Sequence, residues 1–223
     1  MPGRHAMPGE TPEDYLRRVD PVLAKIVDDV IRAEGTPLSD SPDTGVPDLP
    51  SEHYGVLLRA IVGQNISNLA AQAIFRRIVE RYGGRAPTPE ELLADEPDEL
   101  RTAVGLSHAK TASLRSLAEH VISGELELDK LPDLPDDEVV AQLTAIKGIG
   151  RWTAEIFLIF HLRRPDVLAV GDLEIRRTVE TAYGLSELPK PAEVEELGKA
   201  WRPQRTLAGL YLWRWRAVRR AEG

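Results

Sequence analysis

Two runs of helical spacing meet across a four-residue turn in Leu143-Thr-Ala-Ile-Lys-Gly-Ile-Gly-Arg-Trp-Thr-Ala154, and no other segment restricts the fold as much. The turn is Lys147-Gly148-Ile149-Gly150. Paired glycines permit backbone angles that Cβ-bearing residues avoid, and they let another backbone come close. The pattern predicts two short helices joined as a hairpin, with the amides of Gly148, Ile149 and Gly150 facing outward where the second helix begins. Outward amides at a helix N-terminus favour an anion. Lys147 and Arg151 flank that place with positive charge. Downstream, the apolar run Val167-Leu-Ala-Val170 leads into Gly171 and Asp172. A phosphate clamp and a carboxylate one helix apart suggest an enzyme acting on a nucleotide.

The rest of the chain also reads as helices. Helical spacing predicts one helix from Thr11 to Glu34, stopped by Gly35. The proline-rich stretch from Thr36 to Pro50 reads as a loop. Ser51 to Tyr82 keeps apolar residues at helical spacing, with a break near Gly63–Asn65 and a stop at Gly83-Gly84. Short helices follow at Thr88 and at Glu96-Pro97, and a longer one from Ser107, as N-cap, to Ser123. Asp136 is expected to cap a helix running to Lys147, and Arg151 to Arg164 the next. Asp172–Tyr183, Ala192–Trp201 and Arg205–Arg220 complete the set. No stretch alternates β-branched residues with period two, and Val167–Val170 is too short to seed a sheet. The expected fold is all-α, with about ten short helices.

Composition narrows the function. The 223 residues suffice for one domain or two small ones, and the absence of cysteine excludes disulfides and thiolate metal sites. His53, His108, His120 and His161 show no metal-ligand spacing, so no metal is expected. A net charge of −8 argues against a nonspecific nucleic-acid coat. Screening over about 8 Å leaves only local charge relevant to binding. Acidic residues concentrate in 40–48, 90–99 and 125–138, basic ones in 147–177 and 202–220. No apolar run approaches the roughly 18 residues of a membrane span, and Met1–Gly9 lacks the apolar core of a signal peptide. The expectation is a cytoplasmic, nucleoid-associated protein of bacterial type, without contact to a membrane.

At the hairpin and Asp172 the sequence resembles the helix-hairpin-helix DNA glycosylase superfamily, and within it the 3-methyladenine DNA glycosylases of the AlkA type. Ile61-Val-Gly-Gln-Asn-Ile-Ser67 is similar to that family's Ile-x-x-Gln-x-x-Ser helix junction. Gly105-Leu-Ser-x-x-Lys110 is similar to its Gly-Leu/Phe-Ser-x-x-Lys turn. Trp201-x-Pro203-x-Arg205-x-x-Ala208 is similar to its C-terminal helix pattern. The likeness spans roughly residues 50 to 215. It implies two helical subdomains with the active cleft between them: one over 51–161, the other combining 1–50 with 162–223.

The resemblance also implies roles. Asp172 would be the catalytic carboxylate, because breaking an N-glycosidic bond builds positive charge on the sugar and a fixed anion stabilises it. An Asp before a helix is equally an N-cap, and both roles can hold. Trp213 and Trp152 would contribute to the pocket for the flipped base with Gln64, and Trp201 would be structural. Alkylated purines are cationic, an aromatic face attracts cations by about 0.5–2 kcal/mol, and a cationic base leaves readily without a strong acid. Asn65 would either enter the minor groove or merely cap the next helix. Lys147, Gly148, Ile149, Gly150, Arg151 and Thr153 would contact DNA. Trp152 stands where bifunctional relatives carry a nucleophilic lysine, so the implied activity is monofunctional, without strand cleavage. Hairpin carbonyls from Ile146 to Ile149 could hold a monovalent cation, as in relatives; no other cofactor is implied. The implied partner is double-stranded DNA with damaged bases, bound by a monomer. Gly171, Leu173 and Ile156 depart from the AlkA pattern. A glycosylase for uracil, hypoxanthine, a mismatch or oxidised guanine remains an alternative, as does a non-catalytic DNA-structure binder.

Overall fold

A computed structural model describes residues 7, 9–40, 50 and 52–222. Most of the Thr36–Pro50 loop, its acidic cluster after Asp40 and most of Met1–Gly9 lie outside the described residues. Among the described residues all regular structure is helical: α1 (Pro12–Val19), α2 (Pro21–Glu34), α3 (His53–Gly63), α4 (Asn68–Arg81), α5 (Pro89–Ala94), α6 (Pro97–Val104), α7 (His108–Ser123), α8 (Asp136–Ala145), α9 (Arg151–Ile156), α10 (Leu173–Tyr183), α11 (Pro191–Gly198) and α12 (Arg205–Glu222). The chain divides into two compact units: the described part of Met1–Gly45 with Arg163–Gly223, and Val46–Leu162.

In the first unit, the single helix expected from Thr11 to Glu34 is two. Pro21 lacks an amide and its ring would clash with the carbonyl four residues back. The chain therefore leaves the helix at Asp20, whose carboxylate caps α2 through Val22 N (2.9 Å) and Leu23 N (3.1 Å). That carboxylate also accepts Trp201 Nε1 at 2.9 Å. Glu13 of α1, also buried, accepts the Tyr211 hydroxyl at 2.8 Å. Buried carboxylates are costly unless hydrogen-bonded, and these two are paired with residues nearly 200 positions away, tying the N-terminal helices to the C-terminal ones. Leu23, Ile26, Val27 and Val30 of α2, Ile175 and Val179 of α10, and Ala208, Tyr211 and Leu212 of α12 fill the core. Trp201 is fully buried, so its structural assignment stands.

The second unit is built around α3, whose positions from Tyr54 to Arg59, with Ile61 and Val62, are buried. A helix apolar on every side needs covering on every side; α4, α7 and the turn after α9 pack against it. The Gly105-Leu-Ser-x-x-Lys110 segment explains itself here. Gly105 ends α6 with φ +81°, Ser107 caps α7, and Lys110 Nζ donates to Val62 O at 2.7 Å. Lys110 thus closes an open carbonyl at the end of α3, and burial holds its ammonium below the ordinary lysine value.

Three boundaries around the hairpin differ from expectation. Asp136 is not a cap but the first residue of α8, behind Pro135, and α8 ends at Ala145 rather than Lys147. With Asp137 and Glu138 it places charge in the first turn, where the helix dipole favours it. The helix expected from Arg151 to Arg164 keeps α geometry only to Ile156, then widens over Phe157–His161, where Leu162 N bonds Phe157 O five residues back.

Candidate active site

Asp172 starts α10 and performs the cap role. Its Oδ1 accepts Ile175 N at 3.0 Å and, from α12, Trp213 Nε1 at 2.9 Å. Two donors from different directions fix the carboxylate's plane. Both Asp172 and Trp213 are half-buried, so the pair is neither sealed in the core nor loose in solvent. Gly171 stands before it, and a Cβ there would meet nothing within 4 Å.

The approach to Asp172 is held by the C-terminal motif. Arg205 Nε binds Asp166 Oδ1 at 2.8 Å. The Thr206 hydroxyl donates to Arg164 O (2.6 Å) and accepts Val167 N (3.0 Å). Leu168 and Ala169 are buried, and a Cβ on Gly198 would lie 2.6 Å from Leu168 Cδ2. The apolar 167–170 run is therefore a packed loop that delivers Asp172.

The hairpin lies in the second unit. Gly148 takes φ +82°, and a Cβ there would lie 2.1 Å from Ser113 Oγ on α7. Ser116 Oγ, three residues on, accepts Lys147 N at 3.2 Å. Ile149 is buried and pins the turn, while Lys147, Gly148, Gly150 and Arg151 are exposed. Gly150 is different from Gly148: its φ is −93°, and a Cβ would meet nothing within 4 Å.

Gln64 bridges to this turn. Its Nε2 donates to Gly148 O at 2.9 Å and to Thr153 Oγ1 at 3.3 Å. Both amide protons are thus spent within the protein, and the residue expected at the substrate braces the hairpin. Thr153, expected on the DNA face, is 5% exposed. Burial removes its side chain from any contact surface, and it serves Gln64 instead. Arg151 is not a lone cation, because Nε pairs with the buried Glu155 at 2.8 Å; its side chain remains 73% exposed. Trp152 is 46% exposed.

Asn65 follows Gln64 with φ +56° and is exposed. It is not a helix cap, because Ser67 caps α4 through Ala70 N. Left-handed backbone is tolerated by Asn better than by most residues. Ile66 and Leu69 beside it are exposed too, Leu69 by 78%.

The structure thus brings together Asp172 with Trp213 in one unit, and Gln64, Thr153 and the hairpin in the other. Sequence reasoning missed the Trp213–Asp172 bond, the Gln64 brace and the α7 serines. Ser113 and Ser116 sit three apart on one helix face, which was the available signal. Among the described residues no group of three or more metal-binding side chains occurs, and no helix is long and apolar enough to cross a membrane.

Residues 58–203 match the model of the HhH-GPD superfamily of base excision DNA repair proteins. The chain is 40% identical over 165 residues to DNA-3-methyladenine glycosylase 1 of Schizosaccharomyces pombe, covering 73% of this chain and 72% of that protein. Its fold is similar to the solved 3-methyladenine DNA glycosylase of Schizosaccharomyces pombe in complex with abasic DNA (TM-score 0.75, 34% identity, 91% of this chain and 94% of that one). It is also similar to a DNA-3-methyladenine glycosidase of Bacillus halodurans (TM-score 0.78, 34% identity, 97% and 94%).

Proposed function

The chain belongs to the HhH-GPD superfamily of base excision DNA repair proteins, and on that premise we propose that it is a monofunctional DNA glycosylase hydrolysing the N-glycosidic bond of alkylated purines in duplex DNA. The substrates are cationic bases such as 3-methyladenine and 7-methylguanine. The observation that carries the reading is the Asp172 carboxylate, oriented by Ile175 N and the Trp213 indole. Positive charge grows on the sugar as the base departs, and a carboxylate already held in place stabilises it without reorganising. The same group directs the attacking water. The target nucleotide is flipped out of the stack first, and the Trp213 ring, hydrogen-bonded to Asp172, contributes to its pocket.

The hairpin acts as the phosphate clamp. Open space at Gly150 supports close approach of a backbone to the start of α9, with Lys147 and Arg151 adding charge. Asn65 enters the minor groove. A monovalent cation would suit the hairpin carbonyls, since those of Ile146 and Gly148 each accept one bond and keep a second lone pair. Held there it would supply positive charge for a phosphate and take no part in bond breaking. The chemistry asks for no other cofactor. The protein acts as a monomer, in the compartment that holds the chromosome.

The test is an excision panel of duplexes with single defined lesions. Release of 3-methyladenine or 7-methylguanine, leaving an intact abasic strand, is expected. Borohydride should trap no protein–DNA adduct, because an indole stands at position 152 and water is the nucleophile. Release confined to uracil, hypoxanthine or oxidised guanine, or a trapped adduct, would overturn the reading.

A further inference from the structure

The two helices that carry Asp172 and Trp213 are cross-linked again one step along. Glu174, two residues after Asp172, receives Arg216 Nε and Arg220 Nη2 from α12, each at 2.8 Å. Arg177 Nη1 lies 3.5 Å from its other oxygen. Three guanidiniums therefore share one carboxylate, and the patch keeps an excess of two positive charges (three minus one) on a chain whose net charge is −8. Each guanidinium has five N–H donors, and one carboxylate offers about four acceptor sites. Most donors are left for another acceptor. The side chains of Arg177 and Arg220 are 44% and 60% exposed, while Arg216, at 24%, is the anchor. Exposed ion pairs contribute little to folding, so stability does not explain three arginines on one acid.

Phosphate is the acceptor that suits this geometry. Guanidinium forks match its oxygens in pairs, and contacts to it fix register without reading sequence. Arg216 follows Trp213 by three residues, about 4.5 Å of helix rise. Arg220 follows by seven, about 10.5 Å, and nucleotides on one strand advance by about 3.4 Å, so a strand running along α12 would meet the patch about one to three nucleotides from the Asp172–Trp213 pair. We propose that Arg177, Arg216 and Arg220, arrayed by Glu174, bind the DNA backbone beside the nucleotide whose base is removed. This rests on the DNA glycosylase reading above. It adds a phosphate contact made by the unit that holds Asp172, separate from the hairpin.

The test measures binding rather than excision. Affinity for a labelled duplex with a stable abasic-site analogue is followed by fluorescence anisotropy across salt concentrations. Arg177→Gln with Arg220→Gln should flatten the slope of log K against log salt by about two units and weaken binding about tenfold at physiological salt. Arg177→Lys with Arg220→Lys should keep the slope, since a point charge still serves a phosphate. Lys25→Gln with Arg32→Gln removes the same charge elsewhere on the unit and should also keep it. A glutamine pair with the wild-type slope, or a Lys25/Arg32 pair that flattens it equally, would overturn the patch and leave the glycosylase reading intact. A wild-type chain that binds no duplex would overturn both.

Discussion

The hairpin and the Asp172 corner prepare for a ligand in opposite ways. In the proposed reading the hairpin works through backbone amides with charge added by Lys147 and Arg151, and other side chains hold the turn: Ser113 and Ser116 from α7, Gln64 from the end of α3, Ile149 inward. At the Asp172 corner the group proposed to work is a side chain, and backbone and indole hold it. A glycine precedes α9 at Gly150 and Asp172 at Gly171, each with open space where a Cβ would go. Gly148 differs from both, because the fold itself forbids a Cβ there. Glycine therefore means two things in one molecule, and substitution separates them.

The largest effect expected on stability is that of Gly148→Ala. A methyl group would meet Ser113 on the buried side of α7 at a left-handed residue. Overpacking and backbone strain together should cost about 2–4 kcal/mol, read as a lower urea midpoint. A loss below about 0.5 kcal/mol would mean that the hairpin moves freely against α7.

Trp213→Phe tests the other region. It keeps a ring but removes the Nε1 donor to Asp172. Single-turnover excision should fall about tenfold, consistent with one lost hydrogen bond to a charged group. Unchanged excision would mean that Ile175 N alone orients the carboxylate.

Gln64→Ala should be milder, because it removes two neutral hydrogen bonds at a half-buried position. About 1–2 kcal/mol of stability should go. Amide exchange should quicken around Gly148 while Asp172 and its surroundings stay unchanged. Faster exchange at both regions alike would contradict a brace local to the hairpin.

Gly150→Ala should be the smallest for the fold, within about 0.5 kcal/mol, yet it should weaken duplex binding several-fold. Lys147→Ala should flatten the salt slope by about one unit. Normal duplex binding by Gly150→Ala would show that no backbone comes close there.

The two regions were not equally legible in the sequence. Helical periodicity and its breaks located most helices, since Thr11, Ser67, Ser107 and Asp172 each accept a bond from the first turn of a helix. The division of Thr11–Glu34 was missed because the Asp20-Pro21 signal sits inside an unbroken apolar period. Asp172 could be singled out because its residue type alone suits both the cap, which it forms, and the chemistry proposed for it. The roles of Gln64 and Thr153 could not be read, because they depend on which backbone carbonyl and which face of α9 the fold sets beside them. For the same reason the two hairpin glycines looked alike. Only the position of Ser113 shows that one is required by the protein itself.

In the proposed mechanism the Asp172 carboxylate performs the chemistry while binding depends mainly on other groups. Single-turnover release of 7-methylguanine from a duplex, measured for the wild type and for Asp172→Asn at saturating enzyme, tests it directly when duplex affinity is measured on the same preparations. The expected result is a rate lower by at least about 100-fold, with affinity for the damaged duplex largely retained. A variant that releases the base at close to the wild-type rate would remove Asp172 from the mechanism.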